Sequence, residues 1–277
     1  MLILDLQSLL WGLLLLWFAT IGLTLLWAQR CWARPPRETA ADLRANEPAW
    51  VAESTQFLSD LAHELRTPLA TLLTHLEVLR SPRISEETRQ QSIFLMQQEG
   101  KRMARLVHDL LELGYLETAP AIEQRPVNLC EVIHQTIGQI APLAEERQMT
   151  ISVHAEDDLV TLGDADRLRQ VFLCLLDNAV KYSRVGDAIS VTLHRQTEHT
   201  ILCEVCDTGP GIPAEHLPHV TKRFYRGVSE EIGGSGLGLA VVKEILLRHH
   251  STLEITSQTE GTETGTTVRF VLKALCA

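Results

Sequence analysis

Phe57-Leu58-Ser59-Asp60-Leu61-Ala62-His63-Glu64-Leu65-Arg66-Thr67-Pro68-Leu69 decides how the rest of the chain is read. Leu58, Leu61, Leu65 and Leu69, continued by Leu72, Leu76 and Leu79, recur at steps of three and four, the period of one buried stripe on a helix. His63 falls off that stripe. An imidazole on the wet side of a helix, with the carboxylate of Glu64 beside it, is placed to act as a base or nucleophile rather than to fill a core. Taken alone the pair reads more readily as a solvated histidine on an amphipathic helix, and it is the wider run that reverses this.

The chain has 277 residues, 45% of them hydrophobic, which is room for roughly two domains with real cores. Lys and Arg number 25 against 35 Asp and Glu, a formal charge of -10. A general nucleic-acid binder needs a basic face, so no direct nucleic-acid binding is expected. Of the six cysteines only Cys203 and Cys206 lie close in sequence, inside an alternating run where they point to opposite faces. They are read as reduced packing residues, not as a metal or disulfide pair.

Leu9 to Ala28 is an uncharged run of 20 residues containing Trp11, Trp17 and Trp27, long enough to cross a bilayer as a helix. Met1 to Ser8 carries Asp5 and no Lys or Arg, which disfavours a cleaved signal peptide. Arg30, Arg34 and Arg37 follow the run, so the positive-inside rule puts everything after it in the cytoplasm. The expectation is a single-pass membrane anchor over 1–28, with about eight residues beyond it and no extracytoplasmic domain. Residues 29–48, with Pro35-Pro36 and Pro48, read as a juxtamembrane linker.

A first helix is predicted from about Ala49 to Arg80, a turn over Ser81-Pro82-Arg83-Ile84-Ser85, and a second helix over about Glu86 to Leu116. The second carries Ile93, Met96, Met103, Leu106, Leu110 and Leu113 on one stripe. A hairpin of two such helices cannot bury both stripes alone, so a dimeric four-helix bundle is expected over 49–118. From Pro126 to the end the pattern becomes mixed. It predicts a helix near Leu129 to Arg147, a strand at Thr150 to His154, and a helix capped by Asp164 and running to Tyr182. A hairpin of Ala188 to His194 and Thr200 to Cys206 follows, turning at Gln196 to His199. A helix over Leu237 to His249 and strands at Thr252 to Ser257 and Thr266 to Leu272 close it. The fold class is thus α+β: membrane helix, antiparallel hairpin, then an α/β sandwich, a mixed sheet with helices on one face, over 126–277.

His63-Glu-Leu-Arg-Thr-Pro-Leu69 resembles the phosphoacceptor box of sensor histidine kinases of bacterial two-component systems, and that family's other boxes follow in order. Leu175-Leu-Asp-Asn-Ala-Val-Lys-Tyr182 looks like its asparagine box, and Asp207-Thr-Gly-Pro-Gly-Ile-Pro213 like its first glycine box. Phe224-Tyr225-Arg226 matches the phenylalanine box, although Val220-Thr-Lys-Arg223 departs from the usual acidic and aromatic lead-in. Gly233-Gly-Ser-Gly-Leu-Gly-Leu239 matches the second glycine box, and Gly265-Thr-Thr267 the last and least specific. Where relatives place another asparagine, four residues before Asn178, this chain has Cys174. There is no Rossmann or P-loop fingerprint.

The resemblance implies ATP and Mg²⁺ as cofactors, a homodimer, and a cognate response regulator as partner. His63 would accept the γ-phosphoryl group, Glu64 would orient it or take its proton, and Thr67 would position water for dephosphorylating the regulator. Asn178 would ligate Mg²⁺ through its amide oxygen, with Lys181 and Tyr182 on the same helix face. Asp207 would accept from the adenine amine, with Gly209 and Gly211 letting the backbone pass close to the ring. Phe224, Arg226, Gly234, Gly236, Leu237, Gly238 and Thr267 complete the expected nucleotide site, the helix start at Leu237 favouring phosphate. Rival readings are an ATPase of the same nucleotide-binding fold and a nucleotide-binding membrane scaffold without kinase activity, the latter kept open by Cys174.

Overall fold

The computed structural model describes residues 49–118, 124–227, 234–261 and 263–275, with side chains from Phe57 onward. The expected anchor and linker, 1–28 and 29–48, lie outside the described residues. Among the described residues no helix is long and apolar enough to cross a membrane. Gln56–Ala277 form one compact unit.

Two long helices come first, α1 (Ala49–Arg80) and α2 (Glu86–Thr118). Ser85 starts α2: its hydroxyl accepts from the Thr88 N–H at 3.2 Å, and Glu86 and Glu87 place negative charge in the first turn. The helices are tied by Glu64 with Arg102 at 3.4 Å and by His75 with Ser92 at 3.4 Å. Much of the hairpin's apolar surface stays uncovered, with Leu73 54%, Leu76 48% and Leu111 67% exposed. Pro68, Ser92 and Leu106 are buried within the hairpin, and at the C-terminal end of α2 Leu113 and Leu116 join the core of the second half.

That half contains β1 (Arg125–Asn128), α3 (Leu129–Glu146), β2 (Thr150–Ala155), β3 (Val160–Gly163), α4 (Ala165–Tyr182), β4 (Ala188–Thr197), β5 (Thr200–Asp207), a single 3-10 turn Leu217–His219, α5 (Gly238–Arg248), β6 (Leu253–Gln258) and β7 (Gly265–Lys273). The main sheet has the order β2-β4-β5-β7-β6, with β2 parallel to β4 and every other pair antiparallel. Ile189, Val191 and Leu193 of β4 and Ile201, Cys203 and Val205 of β5 are buried on one face, while their neighbours in sequence turn outward. Helix α4 meets that inner face with Leu168, Val171, Phe172 and Leu176 fully enclosed, and the Phe172 ring lies 5.4 Å from Phe270 of β7. Asn128 and Asp164 cap α3 and α4, each side chain accepting from two backbone N–H groups.

At the far end of α5 the buried His249 donates from Nδ1 to the Ile245 carbonyl at 2.8 Å, and its Nε2 accepts from the Asp164 N–H at 3.1 Å. That pattern requires the neutral ring with its proton on Nδ1, and burial holds the imidazole below its usual pKa. One side chain thereby joins the end of α5 to the start of α4.

The structure differs from expectation in small elements. The β4–β5 turn is two residues, Glu198 and His199, not the four of Gln196 to His199, because a register shift at Arg195/Thr197 lets both strands extend. The second helix of the hairpin runs on to Thr118. A two-stranded sheet of β1 and β3, with Thr161 bridging to Ala274, is an addition that the sequence pattern does not announce. Cys203 is fully buried and Cys206 partly exposed on the opposite face, and both are free thiols.

Candidate functional site

His63 is exposed on α1, on the side away from the hairpin contacts. The Thr67 hydroxyl, one turn on and also exposed, donates to the His63 carbonyl at 3.4 Å. Glu64 does not turn to the imidazole; it pairs with Arg102 on α2. Pro68 is buried inside α1, where it removes one helical hydrogen bond just past the acceptor. Beside His63 lies a cleft of about 300 Å³ lined by Asp60, His63, Glu64, Lys222, Arg223, Phe224 and Tyr225. One wall is thus the acceptor helix and the other the segment around Phe224.

On α4, Asn178, Lys181 and Tyr182 fall on neighbouring turns as their spacing requires. The Lys181 ammonium is paired with Asp177, and the Asn178 amide approaches the Cys174 sulfur at 3.9 Å. Burial, reinforced by the Asp177 and Asp109 carboxylates, pushes the Cys174 thiol up to about 12, so it stays neutral. Its sulfur lies against Gly238, the first residue of α5, where a Cβ would come within 2.8 Å and the thiol would have to shift. Tyr182 is half exposed near Gly234.

Asp207 ends β5 and accepts at Oδ1 from the Gly209 N–H at 2.9 Å and the Thr266 N–H at 3.3 Å. Burial raises its carboxyl above the usual range, and those two hydrogen bonds oppose the rise. Gly211 has φ +76° and packs on the Gln258 carbonyl so closely that no Cβ fits. Ser257 fixes this loop: its hydroxyl accepts from the Ile212 N–H at 2.7 Å and donates to the Gly265 carbonyl at 2.7 Å. Thr267 is not brought to Asp207. It pairs with Cys206 on the outer face, its hydroxyl 3.3 Å from that sulfur, because alternation along β7 turns Thr266 inward instead.

The second glycine segment leads into α5 through Gly234, Ser235, Gly236 and Leu237. Leu237 is fully buried, so the backbone at the start of α5, not this side chain, is what a ligand could meet. Gly236 has φ +68° and lies against the Phe224 backbone, where a Cβ would come within 2.8 Å. Phe224 itself has φ +59°, in a region side chains rarely adopt, and its ring lies 5.6 Å from Phe57 of α1. Arg226 follows, half-buried.

Three ties between the hairpin and this site have no counterpart in the sequence reading. Ser235 donates to Asp109 at 2.6 Å, Arg167 at the start of α4 pairs with Glu112, and Arg223 pairs with Glu117. The Arg223 guanidinium also lies 5.1 Å above the Phe57 ring. All join residues far apart in sequence, so no spacing announces them.

Residues 53–119 match the His Kinase A (phospho-acceptor) domain, and residues 163–275 match the histidine kinase-, DNA gyrase B- and HSP90-like ATPase. A phosphoacceptor hairpin followed in one chain by an ATPase domain of that kind is the two-domain core of a two-component kinase. The chain belongs to the sensor histidine kinase family. Phosphate regulon sensor protein PhoR of Haemophilus influenzae is 34% identical over 222 residues, 78% of this chain and 51% of PhoR. Sensor histidine kinase YclK of Bacillus subtilis is 32% identical over 224 residues, 79% of this chain and 47% of YclK. The chain therefore spans about half the length of the curated relatives it matches. Among solved structures, histidine kinase ThkA in complex with response regulator protein TrrA shares the fold, with a TM-score of 0.67 over 87% of this chain and 68% of ThkA at 18% identity. Full-length ShkA in complex with AMPPNP does so at 0.59, over 80% of this chain and 47% of ShkA, at 24% identity.

Proposed function

We propose that this chain phosphorylates itself on His63 with ATP and passes the phosphoryl group to an aspartate of a response regulator. The observation that carries the reading is the cleft in which an exposed His63 on the acceptor helix faces Phe224 of the nucleotide-binding half. A neutral imidazole nitrogen attacks the γ-phosphorus, an N–P bond forms as the bridging P–O bond breaks, ADP leaves, and the ring proton passes to solvent or to Glu64. Glu64 takes that role only by leaving Arg102. Asp207, fixed by Gly209 and Thr266, is the acceptor for the adenine amine, and Gly211 brings backbone close to the ring. Gly234, Gly236 and the backbone at Leu237 and Gly238 border the phosphates at a helix start.

The donor set beside Asn178 fits Mg²⁺ only sparsely. The Cys174 thiol is neutral and soft, which leaves one amide oxygen for an ion that keeps most of its waters. When bound, the ion would neutralise triphosphate charge. Thr67 is assigned to water positioning in a phosphatase reaction on the regulator, and Pro68 to a bend beside the acceptor. Residues 49–118 form the dimerisation and phosphotransfer domain and 126–277 the catalytic domain. The exposed leucines of the hairpin support a homodimer. Residues 9–28 anchor the chain in the bacterial inner membrane, with the catalytic parts in the cytoplasm.

The test is incubation of the full chain, in detergent, with γ-labelled ATP and Mg²⁺. Acid-labile, base-stable label that disappears in His63→Gln and Asn178→Ala is the expected result. ATP binding without any label on the wild type would overturn it and select the scaffold reading, which Cys174 alone favours.

A further inference from the structure

The cleft beside His63 has an unusual charge inventory. Asp60 and Glu64 line it from α1, and Lys222, Arg223 and Tyr225 from the segment before and after Phe224. Glu64 is neutralised by Arg102, and Arg223 is committed to Glu117 and to the Phe57 ring. Among the described residues the Lys222 ammonium has no ion-pair partner, and Lys222 is exposed and lines the cleft. The segment that carries it is held in place: the Lys222 N–H donates to the His219 carbonyl at 2.8 Å, its own carbonyl accepts from the Tyr225 N–H at 3.3 Å, and Phe224 stacks near Phe57.

A phosphoryl group on the His63 nitrogen brings close to two negative charges into a space bordered by Asp60 and by the Arg102-paired Glu64. An ammonium on the opposite wall, carried on a four-carbon stem, is the group whose chemistry answers that charge. Resting on the kinase reading above, we propose that this cleft is a binding site for the phosphoryl group carried by His63, and that Lys222 supplies the cation that holds it. The nucleotide-binding half then grips the phosphorylated acceptor through a second contact, distinct from the glycine segments that border ATP. Lysine is suited to this, because its ammonium can follow a phosphoryl group whose position changes as the helix bends.

The test is a ³¹P NMR pH titration of the full chain in detergent, phosphorylated with ATP and Mg²⁺. Lys222→Gln, Lys222→Glu and Lys222→Arg are compared with Lys273→Gln, an exposed charge change on β7 far along the chain. A nearby cation favours the dianion, so the second phosphoryl ionisation is expected to move up by about half a pH unit in Lys222→Gln, the size of one exposed ion pair. It moves further in Lys222→Glu and returns to the wild-type position in Lys222→Arg. Superimposable titrations for wild type and Lys222→Gln, or an equal shift in Lys273→Gln, would overturn the assignment while leaving the kinase intact. Absence of label on the wild type would instead remove the kinase reading, and this site with it.

Discussion

In α4, Leu168, Val171, Phe172 and Leu176 are fully enclosed, whereas in α1, which carries as regular an apolar stripe, no leucine from Leu58 to Leu79 is. The period is the same; the surroundings are not. Helix α4 lies between a sheet and two other helices, so its stripe is covered within the chain. Helix α1 packs along α2 and meets the Phe224 segment near Phe57, and Leu69, Leu73 and Leu76 remain open. Periodicity therefore tells which face wants to be buried, and the number of neighbours the fold supplies tells whether a second molecule must finish the task.

The contrast breaks most sharply at Phe172. Phe172→Ala removes a fully buried ring packed on Phe270 and is expected to destabilise the nucleotide-binding half by about 3–5 kcal/mol. Thermal unfolding should show that loss together with loss of ATP binding, and an unchanged midpoint would mean that the core is looser than its burial indicates. On the hairpin the same kind of insult should act elsewhere. Leu76→Asp places a charge on the open stripe and is expected to weaken the proposed dimer by about 2 kcal/mol, roughly 30-fold, with the unfolding midpoint of the nucleotide-binding half unmoved. Sedimentation at several concentrations decides it.

Titration sharpens the comparison within the closed half. His249 has a native pKa below its unfolded value of 6.5, so its contribution is fully present above that value and is lost as pH falls through the lowered native pKa. The midpoint of wild type should drop more steeply below about pH 6.5 than that of His249→Gln, whose amide oxygen can still accept from Asp164. Asp207 has the opposite sign. Its native pKa is raised, so its contribution is present below the unfolded pKa and is lost as pH rises through the native one. At neutral pH the ionised carboxylate is a cost, and Asp207→Asn should be no less stable than wild type while losing adenine binding, as calorimetry would reveal. Smallest of all, Glu112→Gln breaks a partly exposed pair with Arg167 and should change stability by less than about 1 kcal/mol.

Much of the fold is legible in the sequence. Asp164 as a cap, the two helices of the hairpin, and the glycines at 211 and 236 announce themselves, because capping, period and left-handed backbone are local demands. The β1–β3 ribbon does not: each strand is four residues, one contains Pro126, and neither is stable without the other. The last glycine-led motif points to Thr267 where the fold presents Thr266, because such a motif gives neighbourhood but not the face, and one step along a strand reverses the side chain. Ser257, Asp109 and Arg167 carry no motif at all, since each acts through a residue that only folding brings near.

The hydrogen bond from Ser235 to Asp109 has a thermodynamic consequence that reaches beyond its two residues. It spans the acceptor hairpin and the loop that opens α5, so any event that stretches it is registered at both ends by the same free energy. A ligand that drew Ser235 away from Asp109 would weaken the hold of that loop on α2, and a movement of α2 that broke the bond would change that ligand's affinity in equal measure.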